Sequence, residues 1–436
     1  RNLHLSIRRQ RQMCIRDSYM STGAVFSCFI DFSNGANFDP SLVLDDPSTP
    51  LDQSVLGTTA SEIVDVSQYV IKTGIRRAYN RTSDSFTAGT ASVRLIDETG
   101  LFNPANTSGA LYGKILPMRK IRFIGTFLGQ EYALGSMYVQ SWKYSSPTGF
   151  DPAFVDLNCV DGFQLLNLAS ISTVTGGTAG QTTAQRITSI LDAAEWPGGM
   201  RSISTTADTT VQADTGSTRT ALSACQTVEA TDLGAFYINQ QGYATFRSRE
   251  DIITASGGTP TVFSDSGLPG TITYQKVAFD LSDFGLINSC TVTRTGGTPQ
   301  TVNNVDSIDT FFKHSRNRSS IAQTDTDALD QALMIVASRQ EVGADLRLES
   351  LTLDAYDGAS PDRVTAALSL DVYDPITVIQ VLQGGNVESD TVITGVAYDI
   401  TPNSFNTTFT TAQPFASGFV LDSLVDGLLD EDSLAY

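Results

Sequence analysis

The chain has 436 residues, which at roughly 100–200 residues per domain predicts about two to four domains. Its 28 Lys plus Arg against 47 Asp plus Glu give a net charge of −19, and its 17% charged and 41% apolar residues sit in a background crowded with Ser, Thr and Gly. That composition excludes a disordered chain. Without a basic stripe beyond residue 18, or an apolar run approaching ~18 residues, neither phosphate-backbone binding nor a membrane-spanning helix is expected.

Residues 1–19 read as a non-native or disordered leader. Arg8, Arg9, Arg11, Arg16 and Asp17 interrupt every apolar stretch that a signal peptide would need. Met13-Cys14-Ile15-Arg16-Asp17-Ser18 resembles translated sequencing-adapter read-through at the ends of metagenomic reading frames, so the protein is expected to start at Met20. The alternative is a disordered basic arm. The remaining cysteines, Cys28, Cys159, Cys225 and Cys290, are far apart with no C-x-x-C, which predicts buried free thiols without zinc or disulfides.

From 20 to 160 the apolar residues alternate. Ala91, Val93 and Leu95 point one way and Thr90, Ser92 and Arg94 the other, Ile121, Phe123 and Phe127 repeat the pattern, and Val155, Leu157 and Cys159 close it. These are half-buried antiparallel strands of an N-terminal tube-like β-domain. Asp97-Glu98-Thr99-Gly100 is a turn, Phe102-Asn103-Pro104 opens an extended loop, and Trp142 ends a strand.

From 161 to 260 an α+β insert is expected. Ile187, Ile190, Leu191 and Ala194 recur at helical spacing after an N-cap at Thr182 or Thr183, with Pro197-Gly198-Gly199 as the stop. A second helix covers about 219–231, with Leu222, Cys225 and Val228 inward, and residues 235–239 and 243–247 flank a hairpin turn at Gln240-Gln241-Gly242.

Ser256-Gly257-Gly258-Thr259-Pro260 marks a boundary. A second β-domain with one packed helix is expected over 261–415, with strands near 270–274 and 287–295. Its helix, about 325–340, is capped by Thr324 and Asp327 and turns Leu329, Leu333 and Val336 inward. Val364, Ala366, Leu368, Leu370 and Val372 alternate as a strand would, and further strands follow near 377–382, 391–399 and 406–411. Residues 416–436 form a C-terminal hairpin or tail, in which Val420-Leu421-Asp422 pairs with Leu428-Leu429-Asp430. The fold class is therefore α+β, mainly β: two antiparallel tube-like barrel or sandwich domains with an α+β insert.

The sequence supplies no catalytic, cofactor-binding or metal-ligating set. Outside the leader the single imidazole is His314, among Lys313, Arg316 and Arg318, in no nucleophile context. A glycosidase carboxylate pair would require a separation that sequence does not give. Gly176-Gly177-Thr178-Ala179-Gly180-Gln181-Thr182-Thr183 lacks the lysine of a phosphate loop and reads as a linker into an N-cap. Asp325, Asp327 and the run Asp430-Glu431-Asp432 do not match a calcium loop and read as solvated acidic ends. Arg76-Arg77 and Arg119-Lys120-Ile121-Arg122 read as charge pairing across strands or subunits.

Phe86–Leu95 (FTAGTASVRL), Gly100–Asn106 (GLFNPAN) and Tyr112–Arg122 (YGKILPMRKIR), in that order and spacing, resemble the opening domain of siphophage minor tail proteins of the tail-hub type. Val139–Trp142, Cys159–Phe163 (CVDGF) and Ile393–Pro402 (ITGVAYDITP) extend the resemblance over most of 60–415. Met118, where the family more often has Gly, and Phe405, where it has Trp, are departures. The motifs are turn-and-strand punctuation and none is catalytic.

The resemblance implies a non-enzymatic structural virion protein at the distal end of a phage tail, assembled in the bacterial host cytoplasm. It implies a homotrimeric hub, similar to baseplate hubs, that joins the tail tube to distal tail and fibre proteins. DNA would pass as cargo and the host surface would be met indirectly. Acidic lumen residues would repel that DNA. The alternative is a β-rich, adhesin-like protein that binds a host surface or glycan without a hub role. A hydrolase fused to a hub is disfavoured, because 60–415 leaves no length for a catalytic domain.

Overall fold

Alternating burial along the chain produces one large sheet. The computed structural model describes residues 23–33, 62–80, 83–146, 152–280, 285–339, 347–356, 358–382 and 385–413. The leader, the expected hairpin or tail of 416–436 and Asp430-Glu431-Asp432 lie outside them. Fourteen strands make the sheet: β1 (Val25–Asp31), β2 (Ile63–Asp65), β3 (Val70–Asn80), β4 (Ser85–Phe86), β5 (Thr90–Asp97), β6 (Arg119–Phe127), β7 (Gln130–Ser145) and β8 (Ala153–Val160) from the first part of the chain. From the second part come β9 (Thr261–Ser264), β10 (Lys276–Asp280), β11 (Arg347–Asp354), β12 (Pro375–Leu382), β13 (Gly385–Thr401) and β14 (Ser404–Ala412). The protein is α+β and mainly β, and the sheet does not close into a barrel.

The strand order is β10-β11-β14-β13-β3-β5-β8-β7-β6-β1-β2, with β4 beside β3 and the parallel pair β9–β12 attached through β12 to β13. The two strand-rich regions are thus halves of one sheet, joined where β13 pairs with β3 from Gly395↔Ala78 to Ile400↔Thr73. In β5 the expected Ala91, Val93 and Leu95 are buried while Thr90, Ser92 and Arg94 are exposed, and β8 sets Leu157 opposite Val93. Each such apolar side chain contributes roughly 1.5–3 kcal/mol when fully buried. Two long strands each serve two partners. β7 pairs with β6 over 130–139 and with β8 over 138–145, with a register shift at 139–141, while β13 pairs with β12 over 385–392, with β14 from Val392 across a shift at 393–395, and with β3 from Gly395. Trp142 is therefore inside β7 rather than at its end.

Between the halves lie α1 (Phe163–Leu168), α2 (Thr183–Ala193), α3 (Ala221–Asp232) and α4 (Arg249–Ser256), with a small sheet of Arg201–Ile203, Ala244–Arg247 and Ala235–Ile238. Thr182 caps α2 in a reciprocal box with Gln185, as Ser248 does with Asp251 in α4. α2 ends at Ala193, before the expected Pro197 stop. The hairpin of 235–247 forms as expected.

After β10 come three strands, Ser289–Arg294, Gln300–Asn303 and Ser315–Ser320, then α5 (Val305–Phe311), which lies between the second and third of them, and α6 (Asp325–Arg339). The Thr324/Asp327 box is present. The inward stripe of α6 is Ala328, Ala332, Ile335 and Val336, and Leu333 is 48% exposed, correcting the expected one. These residues and Cys290 form a separate small core.

Two further expectations fail. Residues 361–369 form a helix, α7 (Pro361–Ser369), not a strand. Pro361 is preorganised for the first turn after Ser360, and Ala366 and Ala367 favour helix. The alternating run hid the helical set Val364, Ala367 and Leu368, all buried. In 270–274 Ile272 makes only an isolated bridge to Phe263, and the strand starts at Lys276. Directly past Ser256–Pro260 the chain enters β9, a strand parallel to β12 that the expected strands did not include.

Candidate functional site

Two polar clamps hold the sheet's centre. Asp161, just after β8, is buried and accepts the Gly89 N–H at 2.6 Å and the Phe163 N–H at 3.0 Å, tying the approach to β5 to the start of α1. A Cβ on Gly89 would sit 2.7 Å from that carboxylate. The CVDGF motif is thus a structural clamp, and burial pushes the Asp161 carboxyl up to about 7. Across the junction of the halves, Arg77 on β3 is 5% exposed and ion-pairs with Asp371 at 2.8 Å. Arg119 donates to the Lys114 carbonyl at 2.9 Å. Both basic spots thus have partners within the chain.

The other weighed motifs resolve into structure. His314 stands just ahead of strand Ser315–Ser320; its backbone N–H donates to Asn288 Oδ1 at 2.7 Å and its ring Nε2 lies 3.1 Å from the Phe311 carbonyl. The glycine-rich loop at 176–183 is held by Arg186 of α2, 1% exposed, which donates to Gln181 Oε1 at 2.7 Å and to the Thr178 and Gln212 carbonyls at 2.9 and 2.8 Å. The loop is filled by a protein cation. Asp325 ion-pairs with Arg294 at 2.5 Å and accepts the Thr298 hydroxyl, and Asp327 caps α6. Cys28, Cys159, Cys225 and Cys290 are buried and free, and burial pushes each thiol up.

Sequence reading missed one cluster. Asp84, in the β3–β4 turn at φ 51° and with its side chain 3% exposed, receives Arg339 at 2.8 Å, Arg316 at 3.3 Å and Arg318 at 3.5 Å, and Tyr79 donates to it at 3.4 Å. Three guanidinium groups therefore converge on one carboxylate. The spacing of Arg316 and Arg318 was a signal, because period two puts both on one face of a strand. Nearby Glu229 of α3, 1% exposed, accepts the Phe236 N–H at 3.0 Å through Oε1. Burial pushes Glu229 up to about 8. Asp84, Glu229, Arg318 and Arg339 line a cavity of about 140 Å³. Among the described residues no group of three or more His, Cys, Asp or Glu is arranged to hold a metal ion, and no helix is long and apolar enough to cross a membrane.

No protein-family profile and no curated protein sequence matches the chain. Among solved structures it is similar to the tail protein from Neisseria meningitidis MC58, with a TM-score of 0.56 and 10% identity over 90% of this chain and 96% of that one. It is also similar to the 43 kDa tail protein of prophage MuSo2 from Shewanella oneidensis, with a TM-score of 0.52 and 14% identity over 81% of this chain and 94% of that one. At these identities the likeness is one of fold: the chain has the fold of tail proteins.

Proposed function

We propose that this protein is a non-enzymatic structural component of the distal phage tail. Three copies form a hub that joins the tail tube to the tip and fibre proteins and lets DNA pass. The observation that carries this reading is the end-to-end fold match, 90% of this chain against 96% of a tail protein. The ordered motifs from FTAGTASVRL to ITGVAYDITP support it independently. An open sheet also suits assembly, because β10 and β2 end the strand order with one neighbour each, and strand edges pair readily with further chains. A net charge of −19 suits a passage that must not hold DNA.

The test is the mass of the full chain across a concentration series, with negative-stain images of the same samples. Three copies in a ring with a central hole are expected. A monomer at every concentration, with no ring on adding tail-tube protein, would overturn the hub and favour a stand-alone surface-binding protein.

A further inference from the structure

The cavity beside Asp84 has two chemically distinct ends. Arg318, Arg339 and Arg347 supply the polar one, and Leu233, Leu286, Met334 and Ile335 supply the apolar one. Its volume of about 140 Å³ is of the order that accepts a benzene-sized guest. At the polar end Arg318 and Arg339, both paired with Asp84, stand with Arg347 on the cavity wall, so three guanidinium groups face it beside two acids in a chain that is otherwise acidic. The second acid on the wall, Glu229, is buried. Held protonated below about 8, it offers an O–H donor at neutral pH and adds little negative charge.

We propose that this cavity is a binding site for a carboxylate carried on a short apolar stem. The guanidinium groups recognise the charge through charge-assisted hydrogen bonds, and the Leu, Met and Ile side chains desolvate the stem. Such a group has two sources: a free aromatic or aliphatic acid, or an acidic side chain flanked by apolar residues. This chain contains the second kind. Val420-Leu421-Asp422, Leu424-Val425-Asp426 and Leu428-Leu429-Asp430 repeat apolar-apolar-acid every four residues, shortly after Gln413, which itself lines the cavity.

The experiment follows the melting temperature of the full chain with benzoate, with benzamide and with inorganic phosphate at matched ionic strength. A parallel series uses the D422N/D426N/D430N variant. If the acid is free, benzoate raises the melting temperature of both proteins, benzamide and phosphate do not, and Ser338→Phe, which fills the cavity, weakens benzoate binding about tenfold or more, ~1.4 kcal/mol. If the chain's own segment is the ligand, the triple variant melts lower than the wild type and responds to benzoate, and the wild type does not. The proposal is overturned if neither protein responds, if benzamide or phosphate acts as well as benzoate, or if the response survives Ser338→Phe in a variant that still melts cooperatively.

Discussion

Asp161 and Glu229 show how single buried carboxylates fix this fold. Each Asp161 oxygen accepts one backbone N–H, and an amide accepts through only one atom. Asp161→Asn therefore leaves Gly89 or Phe163 with an unpaired buried donor, and a loss of about 1–3 kcal/mol in denaturant unfolding at pH 8 is expected; an unchanged midpoint would contradict the clamp. Glu229 predicts a pH dependence. Its ordinary value of 4.5 is raised to about 8 in the folded chain, first by burial. Between those values the native state keeps a proton that the unfolded chain has lost, so this contribution is full below about 4.5 and declines as pH rises through about 8. Glu229→Gln removes the titration, and its stability should fall less steeply from pH 5 to pH 8.5 than that of the wild type. Equal slopes would show that Glu229 is not held protonated. Neither role was legible in the sequence, where both residues are two acids among many and nothing marks which of them the fold will bury. The four cysteines were legible, because small apolar-flanked thiols without a partner spacing are buried by default.

At the scale of elements, strand pairing depends on local exceptions to pattern. Gly395, at the register shift of β13, would place a Cβ 2.5 Å from Thr410 Oγ1 and 2.8 Å from Ala78 Cβ, both on neighbouring strands. Gly395→Val should cost about 1–3 kcal/mol or more by overpacking, read as a shifted denaturation midpoint. A wild-type midpoint would mean that the strands separate freely there. Arg186 plays the equivalent part for the loop at 176–183. Lysine has one nitrogen where the guanidinium spans three acceptors, so Arg186→Lys should expose that loop to limited proteolysis near 174–181, while Thr182→Ala should chiefly lower α2 stability by ~1 kcal/mol. The strands β5, β6 and β8 were legible because one face is wet and one dry, so period two is explicit. α7 was not, because Val364, Ala366, Leu368, Leu370 and Val372 satisfy a strand while Pro361 and the alanines favour a helix. β9 was hidden by its parallel pairing to a strand more than a hundred residues away.

For the whole molecule, continuity of the sheet sets cooperativity. One apolar core runs from Cys28 on β1 through Phe236 and Ile190 to Phe409 on β14, so both halves and the intervening helices should unfold together. The small core under α6 is separate. It holds Cys290, Val292, Ala328, Ala332, Ile335 and Val336 among its few members, and polar links join it to α3 and its surroundings. Gln331 donates to the Thr231 carbonyl at 2.7 Å, the Ile321 N–H to the Thr231 hydroxyl at 3.1 Å, and Gln212 to the Thr295 and Ala322 carbonyls at 3.0 and 2.9 Å. Less buried apolar area means a lower opening free energy, so this unit should open without the rest. The native thiols report it directly: Cys290 belongs to the small core, and Cys28, Cys159 and Cys225 belong to the large one. Under native conditions a thiol reagent, with sites located by mass spectrometry, should modify Cys290 well before those three. Gln331→Leu, which removes one link, should speed only Cys290. Simultaneous labelling of all four would mean that the two cores open as one and that the links outweigh the difference in size.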